Sequence, residues 1–372
     1  MHSEYINKKI LIISKEWSPE NKTGLGFSSL SHAKILKDMG CNVTTVGINH
    51  KSTDVNFDVK NFLNFLTNYN YFLNKTDTII NKIKPDIIIV ESLQTVISEI
   101  FLMKAQKKKI KTVIISHGIS VFPYKLKIKY ILRFLAWFVY IPILKKILRN
   151  SDIIMSLDLN SLDYRHYDTN VAKKYRKKII SYNNFSRFEN YDFKKAKQKK
   201  NKKTILCLGY VNHIKNQIEL IEIAKRIKDL DIEIKIIFNK YDHKYLNLLK
   251  KKIKDNNLRN VLLYNVGEVS IVDEIINSWF LINVSITEVS PLSLIEGNSL
   301  RKFFFSYDVG SINKLKGGII NQSLSQIVFN IRSLNNNNFF NERLEHTAKL
   351  NYLKSFNKKN CQESFVKILE II

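Results

Sequence analysis

Short runs of aliphatic and β-branched residues recur along this chain, separated by amphipathic segments, and the series runs twice. Ile10–Ser14, Asn42–Val46, Asp86–Val90, Thr112–Ser116 and Asp152–Ser156 read as strands. They are nearly continuous apolar runs, which suits parallel strands covered on both faces. Ser28–Met39, Asn61–Lys84, Thr95–Lys108 and Leu126–Arg149 read as the helices between them. Strand–helix alternation of this kind specifies an α/β fold with a doubly wound parallel sheet.

The pattern breaks at Ser186–Lys203, which is polar, Lys-rich and aperiodic, and restarts at Thr204–Leu208. Further strands are expected at Glu233–Phe238, Val261–Tyr264, Phe280–Val284 and Phe303–Ser306. A helix is expected at Ile214–Asp229, and a helical remainder after Gly318. With 372 residues, two domains are the natural division. The expected boundaries are 1–188 for the first Rossmann-like domain, 189–203 for a basic linker, and 204–345 for the second domain. Residues 346–372 form the C-terminal helices. Doubly wound sheets bind ligands at the carboxyl ends of their strands, so the loops after Ser14, Ser116, Leu208 and Val284 are where chemistry is expected.

The formal net charge is +27, and it is unevenly placed. Phe101–Asn150 carries twelve Lys or Arg and no Asp or Glu, whereas Thr204–Leu300 carries twelve of each. The basic half points to an anionic partner, and an anionic membrane surface is the reading taken here. In Tyr124–Asn150 the cations Lys125, Lys127, Lys129, Arg133, Lys145, Lys146 and Arg149 accompany Phe134, Leu135, Trp137, Phe138 and Tyr140, a mixture suited to a headgroup boundary. For those apolar residues, packing inside the domain is the preferred reading, because a Rossmann-like domain needs a helix there; the membrane reading rests on the cations, which no acidic side chain between Phe101 and Asn150 compensates. No stacking motif or basic recognition helix is evident, so nucleic acid is not expected as a partner. Cys41, Cys207 and Cys361 are odd in number and far apart, which fits a reducing cytosol rather than a disulfide or metal framework. Ile10–Ile13 is too short for a signal peptide, and no run reaches the roughly 18 apolar residues of a spanning helix. A cytoplasmic protein, peripheral on the inner face of the cell membrane, is the expectation.

Four motifs fall in the expected loops. Thr23-Gly24-Leu25-Gly26 opens a helix and is either a plain glycine turn or a place where backbone approaches a phosphate; Ser29 stands where a dinucleotide fingerprint has its third glycine. Ser116-His117-Gly118 places an imidazole at a strand end, where it either meets a substrate hydroxyl or caps the strand. Gly209–Asn216 puts Lys215 near a helix start, an unfavourable place for a cation unless an anion lies beside it. In Ser285–Glu296, Ser290 is a good N-cap and Pro291 a good first helical residue. The amides of Leu292 and Ser293 are then open to a ligand, with the carboxylates Glu288 and Glu296 on either side. A carboxylate that accepts from two neighbouring hydroxyls suits a ribose diol.

In order and setting these motifs resemble the group 1 (family 4) glycosyltransferases, which have the GT-B fold: two Rossmann-like domains facing each other across a cleft. The resemblance spans about Lys9 to Gln322. Its most specific element is the pair Glu288 and Glu296 within Ser-x-x-Glu-x-x-Pro-Leu-Ser-Leu-Ile-Glu. It implies a retaining glycosyltransferase of hexosyltransferase type, without metal or cofactor. Such an enzyme moves sugar from a nucleotide-sugar donor to a hydroxyl of a glycan or lipid-linked acceptor, as in bacterial surface polysaccharide assembly. By the resemblance His117 and Glu288 act at the transferred sugar. Gly24, Gly26, Lys215, Leu292, Ser293 and Glu296 hold the donor, and the last helix crosses back to the first domain. Three positions depart from the family, one of them Gly297, which follows Glu296 where the family has an alanine. Tyr210 stands where it has an arginine, and Arg301-Lys302-Phe303 replaces a Gly-x-Pro, with Arg301 a candidate for the missing charge. The alternative that Tyr210 raises is a degenerate GT-B protein that binds acceptor or partner without turnover.

Overall fold

The structure is a computed structural model that describes residues 7–20, 23–59, 68–119, 128–159, 164–195, 202–335 and 337–372. It divides into two units, Met1–Tyr182 with Cys361–Ile372, and Asn183–Asn360.

The first unit is built on β1 (Lys9–Ser14), β2 (Asn42–Ile48), β3 (Val55–Phe57), β4 (Ile87–Val90), β5 (Lys111–Ser116), β6 (Ile153–Ser156) and β7 (Lys178–Ser181). All pairings are parallel, in the order β3-β2-β1-β4-β5-β6-β7. Helices α1 (Gly24–Asp38), α2 (Tyr69–Ile83), α3 (Ile97–Lys107), α4 (Ile128–Asn150) and α5 (Tyr167–Lys174) lie between strands. Every residue of β4 and β6 is buried, the outcome expected of a strand covered on both faces. Phe57, Phe72, Phe101, Ile114 and Leu148 belong to one core in this unit.

The second unit repeats the plan. Its strands are β8 (Lys203–Leu208), β9 (Ile232–Phe238), β10 (Val261–Asn265), β11 (Phe280–Asn283), β12 (Phe304–Tyr307) and β13 (Gly318–Asn321), all parallel in the order β10-β9-β8-β11-β12-β13. The helices are α6 (Ile218–Arg226), α7 (His243–Asp255), α8 (Ile271–Asn277), α9 (Leu292–Ser299), α10 (Leu324–Asn335) and α11 (Asn338–Ser355), while the last helix, α12 (Lys358–Ile371), belongs from Cys361 onward to the first unit. In each sheet the strand order reverses once, at β1/β4 and at β8/β11. Those reversals open a crevice at the carboxyl ends of the strands.

Several sequence-based expectations shift. The segment after Tyr182 is not a free linker, because Asn183–Tyr191 is built into the second unit. Asn183 Nδ2 donates to the Ser355 carbonyl at 3.0 Å, the hydroxyls of Ser186 and Ser299 lie 2.7 Å apart, and Phe188 and Tyr191 pack on that unit's core. Residues 196–201 of the expected linker lie outside the described residues. Residues 346–360 stay with the second unit, since α11 packs along α9. β13 interrupts the expected helical remainder after Gly318. The helix expected from Ile214 starts at Ile218 instead. Asn216 has a left-handed φ of 55°, and the Asn212 side chain accepts from the amides of Ile214 and Lys215, so 212–217 is held as turns.

Candidate functional site

Both sheets present their chemistry-bearing residues at the reversal points. In the first unit, Lys15 and Glu16 follow β1, Glu91 follows β4 and His117 follows β5. A pocket of about 230 Å³ opens there, lined among others by Lys15, Leu25, Gln94, His117, Arg165 and Asp168. Gly118 has a φ of 80°, so the chain turns away just after His117 in a conformation that favours glycine.

His117 belongs to a buried chain of groups. Glu91 is wholly buried, accepting from His32 Nδ1 through Oε1 and from His117 Nε2 through Oε2, both at 2.8 Å. Burial disfavours charge on both His32 and Glu91. Their mutual attraction outweighs it, holding His32 above the ordinary imidazole value and Glu91 below the ordinary carboxylate value. The Cys361 thiol beside His32 adds to the rise. His32 therefore carries the proton and balances the carboxylate, and Glu91 is left to orient His117. A carboxylate can only accept, so His117 donates through Nε2 and its Nδ1 is the ring nitrogen left to face other groups. The three ligand atoms lie within 4.8 Å of one another, the one cluster among the described residues with metal-ligand character. Each Glu91 oxygen is already committed to a different histidine N–H, so the arrangement is that of a proton-sharing chain. Tyr182 and Phe365 close over His32, with ring centroids at 5.8 and 5.1 Å.

At the first glycine loop, Thr23 caps α1, and its hydroxyl accepts from the Gly26 amide at 3.1 Å. The cap thus takes the amide expected to meet a phosphate.

In the second unit, Lys215 and Glu288 come together as an ion pair, with Glu288 almost entirely buried. The Ser285 hydroxyl donates to the same Glu288 oxygen at 2.8 Å and lies 2.6 Å from Asn283 Oδ1 at the end of β11. Gly209 follows β8 with a φ of 150°, and a Cβ there would only come into ordinary contact, 3.9 Å, with Lys215 Cε. Pro291 occupies the N-cap position of α9 rather than its first helical position. Leu292 and Ser293 are then the first two helical residues, and their amides have no intrahelical acceptor. Glu296, one turn further on, is buried, and both its oxygens meet the Arg187 guanidinium, Nε–Oε1 at 2.8 Å and Nη2–Oε2 at 3.3 Å. Burial raises the Glu296 carboxyl above its ordinary value, against the pull of Arg187.

Gly310 explains how Glu288 is held. Its φ is 59°, and a Cβ there would lie 2.2 Å from the Glu288 carbonyl oxygen. The next residue ties the two loops together, Ser311 N donating to the Val289 carbonyl at 3.0 Å. Gly310→Ala is expected to destabilise the protein by roughly 1–3 kcal/mol, because either the turn or the Glu288 backbone must move. Urea unfolding checks this, and an unchanged midpoint would remove the role given to Gly310.

The structure thus places Gly24, Gly26 and His117 in the first unit at the reversal of its sheet. Lys215, Glu288, Leu292, Ser293 and Glu296 gather at the corresponding reversal in the second. Tyr210 is 40% exposed, with its carbonyl accepting from Gln217 Nε2 at 2.9 Å. Arg301, the candidate for the missing charge, lies at the far end of α9 from Leu292, and its guanidinium rests 5.8 Å from the Phe193 ring. Arg187, Glu91 and His32 went unread in the sequence, and Ser285 was read only as the start of the Ser285–Glu296 stretch. Glu91 had a visible signal, a lone carboxylate at the end of a four-residue apolar strand.

No protein-family model matches the sequence, and no curated protein is significantly similar to it. Solved structures do match along nearly the whole length. A glycosyltransferase from Rickettsia africae is 16% identical, covering 99% of each chain with a TM-score of 0.72. Anabaena HepE, in complex with UDP and glucose, is 12% identical over 98% of this chain and 100% of its own, with a TM-score of 0.75. A mutant of S. aureus TarM, in complex with fondaparinux, alpha-GlcNAc-glycerol and UDP, is 14% identical over 97% and 99%, with a TM-score of 0.70. The fold of this chain is the GT-B fold of these glycosyltransferases.

Proposed function

We propose that the protein is a retaining glycosyltransferase of family 4 type that moves a sugar from a nucleotide-sugar to a hydroxyl of a glycan or lipid-linked acceptor, in the assembly of a bacterial surface polysaccharide. The observation that carries this reading is the group at β8/β11. One ammonium, Lys215, and the first amides of α9 surround Glu288, and a buried carboxylate, Glu296, stands one turn inside the helix. A nucleoside diphosphate needs those three things: a cation, backbone donors for phosphate, and an acceptor for the ribose diol. The HepE and TarM structures hold UDP, which makes a uridine diphosphate sugar the first donor to try. The TarM complex also holds glycans, which favours a glycan acceptor.

In this reading the site stabilises charge on the departing diphosphate. Lys215 turns from Glu288 to the phosphates, and the amides of Leu292 and Ser293 add a fixed positive field. Glu288, held by Ser285, keeps a hydrogen-bond acceptor towards the sugar. His117, oriented by Glu91, offers its Nδ1 to a sugar or acceptor hydroxyl. These protein groups meet the charge on the diphosphate, so the proposal asks for no metal ion or cofactor.

Glu296→Ala is expected to weaken UDP binding by about 1–3 kcal/mol, because two ribose hydroxyls lose a charged acceptor and Arg187 is left unpaired beside them. A thermal-shift titration reads it directly, since a ligand at 100 times its dissociation constant stabilises by about 2.7 kcal/mol. A folded variant that binds UDP as tightly as the parent would show that Glu296 serves only its pair with Arg187.

A further inference from the structure

A second, larger pocket lies in the first unit at the opposite, amino-terminal end of the strands, beside the start of β5. Its volume is about 580 Å³, with Lys107, Lys109, Lys111 and Lys146 around it, Met103 beneath and Asp152 as its one acidic lining residue. Lys111 begins β5 and His117 follows its end, so this pocket is separated from the candidate site by the length of that strand, about 20 Å.

Lysines at helix ends often only complement the macrodipole, and α3 and α4 both end here. The charges do not cancel on that account. Two helix carboxyl termini supply about half a negative charge each, and Asp152 one more, 3.5 Å from Lys111. Four cations face about two negative charges, which leaves a surplus of about two, and Lys145 and Arg149 lie exposed nearby on α4.

The same helix exposes apolar side chains beside the cations. Val139, Ile143, Lys146 and Asn150 follow one another at helical spacing on one stripe, with Phe138, Lys145 and Arg149 on the next. Phe138 and Val139 are 62% and 70% exposed, whereas Leu144, Ile147 and Leu148 on the opposite face are buried. This face of α4 is apolar towards its middle and cationic towards its end, where it runs into the lysine pocket. Lys125 and Lys127 lie outside the described residues, as do the side chains of Lys129, Arg133, Phe134, Leu135 and Trp137. No helix among the described residues is long and apolar enough to cross a membrane.

We infer that this surface docks on an anionic phospholipid bilayer, with a headgroup phosphate in the lysine pocket and Phe138, Val139 and Ile143 at the acyl boundary. Nucleic acid would use the cations but gain nothing from exposed valine and isoleucine. A soluble phosphate would use the pocket but leave those side chains in water. A bilayer carrying negative headgroups uses both.

The full-length protein, without donor or acceptor, is sedimented with vesicles of phosphatidylcholine alone or phosphatidylcholine with phosphatidylserine, so the outcome is separate from that of glycosyl transfer. The protein pellets with the anionic vesicles at about 0.1 M salt and is released at about 1 M, where the screening length falls to about 3 Å. Each cation contributes about five-fold to partitioning, so Lys107→Glu with Lys109→Glu and Lys146→Glu lowers it at least about 100-fold. Val139→Ser with Ile143→Ser lowers it roughly ten-fold. All five positions are exposed, and circular dichroism confirms that the variants fold. Equal partitioning onto neutral vesicles, or a triple lysine variant that pellets like the parent, overturns the inference. Protection of the pocket lysines from acylation by inorganic phosphate as well as by anionic vesicles also overturns it, in favour of a soluble ligand.

Discussion

Lys215→Ala is expected to lower kcat/KM for the donor by about 100- to 1000-fold, the scale found when one charge-stabilising group is removed from a preorganised site. Two effects add. The cation that meets the diphosphate is gone, and Glu288, almost fully buried, is left with no ion-pair partner among the described residues and faces the phosphates as a bare negative charge. The loss falls on both KM and kcat, because diphosphate charge is present in the bound donor and grows as the bond to the sugar breaks. Lys215→Arg restores part of the binding but less of the turnover, since a planar fork replaces a compact ammonium. Steady-state kinetics at varied donor concentration checks this, and a Lys215→Ala enzyme within three-fold of the parent would remove Lys215 from the donor site.

A comparably large effect, on stability, is expected at Glu91. Glu91→Ala leaves His32 buried without its counter-charge, and breaking a buried pair in this way costs about 3–5 kcal/mol. The same pair gives the protein a pH signature. His32 is raised above its ordinary value, so its contribution is complete below about pH 6.5 and is lost as pH rises towards the folded value. Glu91 is lowered, so its contribution is complete above about pH 4.3 and is lost as pH falls. Stability from the pair is therefore greatest at mildly acidic pH and declines into the alkaline range. His32→Gln flattens the alkaline decline. Urea midpoints at pH 6 and pH 9 for parent, His32→Gln and Glu91→Ala test the assignment, and parallel declines in all three would show that His32 is neutral in the fold.

These expectations rest on features of unequal visibility in the sequence. The strands were legible because parallel strands buried on both faces need unbroken apolar runs, as in β4 and β6. β3 and β7 were not, being short and carrying the polar or charged residues Asn56 and Lys178. Lys215, Glu288, Leu292 and Glu296 were legible because chain order puts them in the segments that follow β8 and β11, which a reversing sheet must bring together. Arg187 was hidden, because its segment has no periodicity and its pairing with Glu296 spans more than a hundred residues. Periodicity cannot foresee a side-chain pairing between distant loops. His32 was hidden in another way: on an amphipathic helix a single histidine looks like any polar residue, and only the burial of Glu91 beside it gives it a charge.

The central claim, transfer of a sugar from a nucleotide donor at Lys215, Glu288 and Glu296, is tested most directly by following radiolabelled sugar from a panel of uridine diphosphate sugars into glycan and lipid-extract acceptors. The account predicts label in product from at least one donor, with one equivalent of UDP released per sugar transferred, and loss of both with Lys215→Ala. UDP binding that depends on Glu296, without label moving from any nucleotide-sugar to any acceptor, would contradict it and leave a protein that binds nucleotide without turnover.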